Sequence, residues 1–228
     1  VYTNTGIYNV SVTLTLGTSV NTFSKTIEIF EVPTAFSPND VLECDDDIDG
    51  VIAINLNQTT DTEILNGQSP LNYTIKYYES QVNADLDNDA LVMPYQNLSN
   101  PQTLFARIEN NSNQACFDTT SFLFTVFELP QIVVEEELIY CLNTFPSVIT
   151  LDGGILNGFP SDFFYNWSTG ATTPQIQVNT VGTYTVTVSD TNGCFKLRTI
   201  TVIPSNTATF ESIEIVDGIE NNTVTIFV

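Results

Sequence analysis

The chain has 228 residues, 42% of them apolar, with 5 basic residues against 27 acidic ones, no histidine and a net charge of −22. The length allows several small domains, and the apolar share is enough to fill their cores. The acidity excludes a phosphate-backbone or anionic-lipid partner by repulsion, and the lack of histidine removes the commonest general base and zinc ligand together.

In chain order, residues 1–34 read as the closing part of an earlier domain: Tyr8 to Leu16, a polar turn, then Phe23 to Val32. The opening strands of that domain are expected upstream of Val1. Val32-Pro33 and Ser37-Pro38 then break the pattern and are expected to form a short stiff joint. A second domain is expected over 35–130. It begins at the acidic segment around Cys44, continues through a strand at Val51–Leu56 and a helical turn at Asp61–Leu65, and then takes a strand at Tyr73–Tyr78. A loop at Asp85–Asp89 and a hairpin made of Thr103–Ile108 and Phe122–Val126 complete it. A third is expected over 131–205, with strands at Leu138–Cys141, Val148–Leu151, Phe163–Trp167 and Gln175–Val178. Its closing hairpin joins Gly182–Ser189 to Phe195–Val202. Residues 206–228, with strand-like runs at Thr209–Val216 and Asn222–Val228, read as the start of a further β-domain.

The hairpin recurs. Gly6-Ile-Tyr-Asn-Val-Ser-Val12 copies Gly182-Thr-Tyr-Thr-Val-Thr-Val188, and Thr26-Ile-Glu-Ile29 stands where Thr199-Ile-Thr-Val202 stands. Period-2 alternation, β-branched and aromatic residues and regular turns give the fold class: all-β, tandem β-sandwich domains in an extended rod. No apolar run reaches the ~18 residues of a membrane helix, so no membrane insertion is expected.

The four cysteines are Cys44, Cys116, Cys141 and Cys194, with no CxxC spacing. Three pairings satisfy the count. The repeat favours Cys44–Cys116 and Cys141–Cys194, one in each domain, each worth about 4 kcal/mol in the chain-entropy model. An even count in such domains points to an oxidising, extracytoplasmic setting.

Asp45, Asp47 and Asp49, followed by Gly50, fit the first half of a calcium loop, where alternate carboxylates converge on one hard cation. The bidentate acid expected six positions after the glycine is missing, since Leu56 stands there. The remaining ligands would come from Glu43, the Val51 carbonyl, or the weaker cluster Asp85, Asp87 and Asp89. A solvated acidic turn is the other reading, with the acidity serving to keep strand edges from pairing with other chains. Phe163, Tyr165 and Trp167 fall on one strand face and Phe164 and Asn166 on the other, which reads as core packing against a disulfide rather than a sugar-stacking platform. No acid sits in an apolar sequence setting that would tune it for catalysis, so no enzymatic activity is expected.

The stretch from Tyr165-Asn-Trp-Ser-Thr-Gly through Gly182–Cys194 resembles the repeat of giant gliding-motility adhesins (SprB-like) on Bacteroidetes cell surfaces. It also resembles the PKD-like and Ig-like modules of type IX secretion substrates. Glu43–Gly50 with Asn100–Asn111 is similar to a second module of the same proteins. The resemblance implies a stalk segment of a secreted, outer-membrane-attached adhesin that serves attachment and gliding. Its partners would be neighbouring domains of one long chain, the secretion and motility machinery, and surface polysaccharide. The alternative is a spacer or carbohydrate-binding region of a secreted polysaccharide-degrading enzyme.

Overall fold

Alternating side chains and a glycine turn organise the first element of the structure, a computed structural model that describes residues 2–205, 212–216, 218 and 223–227. β1 (Gly6–Leu16) and β2 (Ser19–Ile29) pair antiparallel from Gly6↔Ile29 to Leu16↔Ser19, with Gly17 at φ +59° in the two-residue turn. A left-handed residue there matches the turn to the twist of the strands.

The chain divides at Glu128/Leu129 into two units. After the hairpin, the first contains β3 (Val41–Asp45), β4 (Ala53–Ile54), α1 (Leu56–Leu65), β5 (Tyr73–Tyr78), α2 (Gln81–Leu86), β6 (Tyr95–Gln96), β7 (Gln102–Asn110) and β8 (Asn113–Glu128). The second contains β9 (Glu135–Tyr140), β10 (Ile149–Asp152), β11 (Phe164–Trp167), β12 (Gln175–Val178), β13 (Gly182–Ser189), β14 (Phe195–Pro204), β15 (Ser212–Val216) and β16 (Thr223–Phe227). β15 and β16 form their own antiparallel pair. The remainder of the expected runs over 209–216 and 222–228 lies outside the described residues.

Both units follow one plan. In the first, a four-stranded sheet β3-β8-β7-β5 faces the pair β4-β6; in the second, β9-β14-β13-β11 faces β10-β12. In each, the opening strand lies parallel to the last, β3 on β8 and β9 on β14, while the hairpin partners are antiparallel. This is an all-β, Ig-like sandwich built twice. The cores sit between the sheets. Leu104, Ala106, Ile108, Phe122 and Phe124 pack on Ile54 and Tyr95 in the first, and Val186, Val188 and Ile200 pack on Leu151, Ile176 and Val178 in the second. Alternation places these side chains inward because a strand sends successive side chains to opposite faces.

The helical content departs from expectation. The strand read at Val51–Leu56 is only Ala53–Ile54, and the single helical turn is a ten-residue helix, α1. Its buried residues are Leu56, Thr60 and Ile64, four apart, so one face enters the core. The hydroxyls of Thr59 and Thr60 donate to the carbonyls of Asn55 and Leu56, one turn back along the helix. Thr60 also meets the Tyr77 hydroxyl at 2.6 Å, and that hydroxyl donates to Asp61 at 2.5 Å. Burial holds the Asp61 carboxyl above its ordinary range. The second departure is α2, capped by Ser80, whose hydroxyl accepts from the Asn83 N–H.

The proline joint at 33–38 is not a free spacer. Pro33 and Pro38 are buried. The backbone N–H groups of Ala35, Phe36 and Asn39 donate to Asp118, the Ile64 carbonyl and Glu63. The stretch is fastened to the first unit by hydrogen bonds to two separated parts of it, α1 and β8.

In the second unit, Trp167 and Tyr165 fill the core, and Trp167 donates its indole N–H to the Thr173 carbonyl at 2.8 Å. Gly153 lies so close to Tyr165 that an added Cβ would stand 2.3 Å from the ring. Gly153→Ala is therefore expected to cost about 1–3 kcal/mol through overpacking. Urea unfolding of the variant checks this, and a loss below about 0.5 kcal/mol would show that the ring has room to move.

Candidate functional site

Two local structures hold the residues singled out by sequence. In the first unit, β3 ends at Asp45, whose buried carboxylate organises the loop that follows. One oxygen accepts from the Asp47 N–H at 3.0 Å and the other from the Gly50 N–H at 2.6 Å. Asp47 accepts from the Asp49 N–H at 3.4 Å and Asp49 from the Val51 N–H at 2.7 Å. Gly50 takes φ +74°, a conformation that favours glycine. The carboxylate oxygens of Asp45, Asp47 and Asp49 all come within 4.8 Å of one another.

The Gly50 N–H bond holds the Asp45 carboxyl below its ordinary range, while sharing a hydrogen bond with Asp45 pushes Asp47 up. Asn97, which sequence reasoning missed, pins the loop from the far side. Its amide donates to the Gly50 carbonyl and accepts from the Ile52 N–H, both at 2.8 Å. Asn100 likewise exchanges two hydrogen bonds with the Val126 backbone. Both side chains do work a backbone cannot do in an irregular stretch, and the cluster Asn97-Leu-Ser-Asn100 is the only sequence signal for it. Asn97 thus ties the loop at Gly50–Ile52 to the stretch before β7, and Asn100 ties that stretch to β8.

Leu56, which stands where the bidentate acid is missing, heads α1 in the core. Asp85, Asp87 and Asp89 are not brought together. Asp85 accepts from Gln81. Asp87 turns inward at the end of α2, in left-handed backbone, and accepts from Lys76 at 2.8 Å and the Tyr78 hydroxyl at 2.5 Å. Lys76 holds the Asp87 carboxyl below its ordinary range. Asp89 accepts from its neighbour Asn88. Among the described residues, Asp45, Asp47 and Asp49 are the three acids with convergent oxygens.

The cysteines correct the expected pairing. Cys44 and Cys194 are disulfide-bonded, and Cys116 and Cys141 carry free thiols. The parallel strands explain why the expected pairs fail. Cys44 lies opposite Phe127 on β8, eleven residues along from Cys116, which is about 36 Å of strand. Cys141 follows Tyr140, which lies opposite Pro204, nine residues along β14 from Phe195 beside Cys194. A disulfide needs Cα atoms within about 7 Å. Positions that match in the repeat therefore lie at opposite ends of each sandwich, and Trp167 packs without a disulfide across its core.

Cys194 is set by the turn before β14. Asp190 accepts from the N–H groups of Asn192 and Cys194, both at 2.9 Å, and Gly193 takes φ +90°. Further along β14 the buried Arg198 donates to the Asp152 and Val133 carbonyls at 3.1 and 2.7 Å and pairs with Glu136. In the first unit Arg107 is buried as well. It pairs with Glu109 at 3.0 Å, lies 3.5 Å over the Phe117 ring and donates to the Ala84, Asp85 and Gln114 carbonyls. These guanidinium groups are engaged in holding strands and loops together. Among the described residues no buried side-chain nitrogen or oxygen lacks a partner.

Residues 40–130 match the model of the Flavobacterium inter-domain disulphide bond domain. No curated protein matches the chain. Among solved structures, DIP-gamma IG1+IG2 is similar at 9% identity and TM-score 0.29, with 78% of this chain and 99% of that one covered. The insect immune protein hemolin is similar at 11% and 0.30, covering 87% and 56%. Sidekick-1 immunoglobulin domains 1–5 are similar at 12% and 0.26, covering 88% and 45%.

The lowered Asp45 pKa carries a sign. A carboxyl held below its unfolded value contributes stability above that value and loses it as pH falls through the folded one. Asp45→Asn should therefore flatten the loss of stability below about pH 4, the ordinary carboxylate range. Asp47, raised, works in the opposite direction. Urea melts between pH 2.5 and 6 check this; an unchanged acid limb would show that the loop plays no part in acid unfolding.

Proposed function

We propose that the chain is a pair of non-catalytic Ig-like modules from a multi-domain extracellular protein, with Cys44 and Cys194 held in disulfide linkage. The observation that carries this reading is the oxidation state of the cysteines. Each unit contributes one oxidised cysteine and keeps one free thiol. Cys44 lies within residues 40–130, the stretch matched by a model described by an inter-domain disulphide. Structural disulfides form and persist in oxidising compartments. The non-catalytic part is supported by the composition, which lacks histidine, and by the arginines, which are saturated by carbonyls and carboxylates.

In its finer form the proposal makes this a segment of a surface adhesin that serves attachment and gliding and is exported by type IX secretion. Motif resemblance and a net charge of −22, which keeps neighbouring surfaces from sticking, support that form. Its partners would be adjacent domains and the outer-membrane machinery. Antibodies raised to this segment should label intact cells, and protease added outside should remove the signal. Labelling only after lysis would overturn the reading.

A second reading has one observation in its favour. Phe164 and Phe195 are exposed in a single row across β11, β13 and β14, with Ser189 between them. Two strand spacings set them about 10 Å apart, and aromatic faces stack on sugar rings. Glycan-array binding that disappears in Phe164→Ala and Phe195→Ala would favour a carbohydrate-binding region of a secreted polysaccharide-degrading enzyme.

Calcium at the acidic loop belongs to the proposal. Asp45 already gives both oxygens to backbone N–H groups, so Asp47 and Asp49 would supply the open lone pairs. Millimolar calcium, the range for extracellular modules, should raise Tm by a few degrees through linkage, and Asp47→Asn with Asp49→Asn should abolish the rise. Equal melts in calcium and chelator would remove the ion.

A further inference from the structure

One face of the β1–β2 hairpin is apolar and stands largely exposed, with the Tyr2 ring beside it, 4.4 Å from that of Tyr8. The hairpin's polar face carries Asn9, Ser11, Thr13, Thr22, Ser24 and Thr26. The other carries Tyr8, Val10, Val12, Leu14, Phe23 and Ile27. On that apolar side Val12, Leu14 and Phe23 are 59%, 61% and 66% exposed. A lone two-stranded ribbon is marginal in water, and such a face is a surface that awaits a partner.

The second unit shows what covers an identical ribbon. β1–β2 matches β13–β14 pair for pair: Gly6↔Ile29 as Gly182↔Val202, Tyr8↔Ile27 as Tyr184↔Ile200, and Val12↔Phe23 as Val188↔Lys196. The first glycine takes φ +142° in one and +150° in the other. Tyr8 donates to the carbonyl four residues back, at Asn4, and Tyr184 to that of Thr180, both at 3.0 Å. A tyrosine bonded back in this way marks the start of the penultimate strand of an Ig-like sandwich. In β13 the residues matching Val10 and Val12 are Val186 and Val188, both 0% exposed beneath β10 and β12.

The match extends to charge. Val10 faces Lys25 where Val186 faces Arg198. Arg198 is paired with Glu136 of β9, the strand that runs parallel to β14. Lys25 is exposed and, among the described residues, makes no ion pair. Among the described residues both outer edges of β1–β2 are unpaired, whereas β13 and β14 have β11 and β9 on theirs.

We propose that β1–β2 is the closing half of a further sandwich, covered in the whole protein by β-strands of the same polypeptide N-terminal to residue 1. One of these strands runs parallel to β2 and brings a carboxylate to Lys25. The inference rests on the tandem-module reading.

Hydrogen exchange of residues 6–29, measured in the whole protein and in this 228-residue segment, tests it. Protection should be at least about 100-fold greater in the whole protein. Lys25→Glu there should give back roughly 10-fold or more at 6–29 and leave 182–204 unchanged as the internal control. Equal exchange in both forms would overturn the proposal. So would a segment that sediments as a concentration-dependent dimer with 6–29 already protected, because a second copy would then be the occupant. Whole protein that protects 6–29 but is not displayed on the cell surface would remove the adhesin reading and leave this one standing.

Discussion

The parallel pairing of the first strand with the last governs each sandwich. β3 on β8 and β9 on β14 tie the start of a unit to its end, so the two-sheet core closes before any side chain chemistry is considered. The same pairing decides which residues meet. It sets Glu136 beside Ile200, within reach of Arg198, and it sends Cys44 and Cys116 to different ends of one sandwich.

Charge scarcity shapes the rest. With 5 basic residues for 27 acidic ones, a buried cation is a rare resource. Both arginines are spent inside, where a planar guanidinium reaches several carbonyls and a carboxylate at once. Glu109 is fully buried because Arg107 and Lys76 both reach it. Asp87 shares Lys76, Glu136 and Asp152 lie by Arg198, and the buried Asp45 is satisfied by backbone N–H groups instead of a cation. Removing one partner of such a buried pair costs more than the pair contributes, because the orphaned charge stays desolvated.

Much of the fold was legible because period-2 alternation survives in long strands, and the Gly-x-Tyr-x-Val-x-Val run even carried its register from β13 to β1. What failed did so for identifiable reasons. α1 is built from Asn, Thr, Gln and Asp, residues that favour turns when isolated, and only Leu56 and Ile64 disclose the helical face. The cysteine pairing was misread because equal positions in a repeat were taken as neighbours, whereas a parallel ladder puts them far apart. Asp85, Asp87 and Asp89 looked like a cluster in one dimension. A helix end separates them, and Lys76 claims Asp87. At the Asp45 loop, the Asn97 amide that pins Gly50 comes from 47 residues further along the chain, beyond the reach of a local motif.

The parallel pairing of β3 with β8 also decides how the first unit meets a pull on its two ends. Force entering at Val41 and leaving at Glu128 runs along the strands, so the paired positions from Val41↔Phe124 to Asp45↔Glu128 are loaded in shear and must give together rather than unzip one by one.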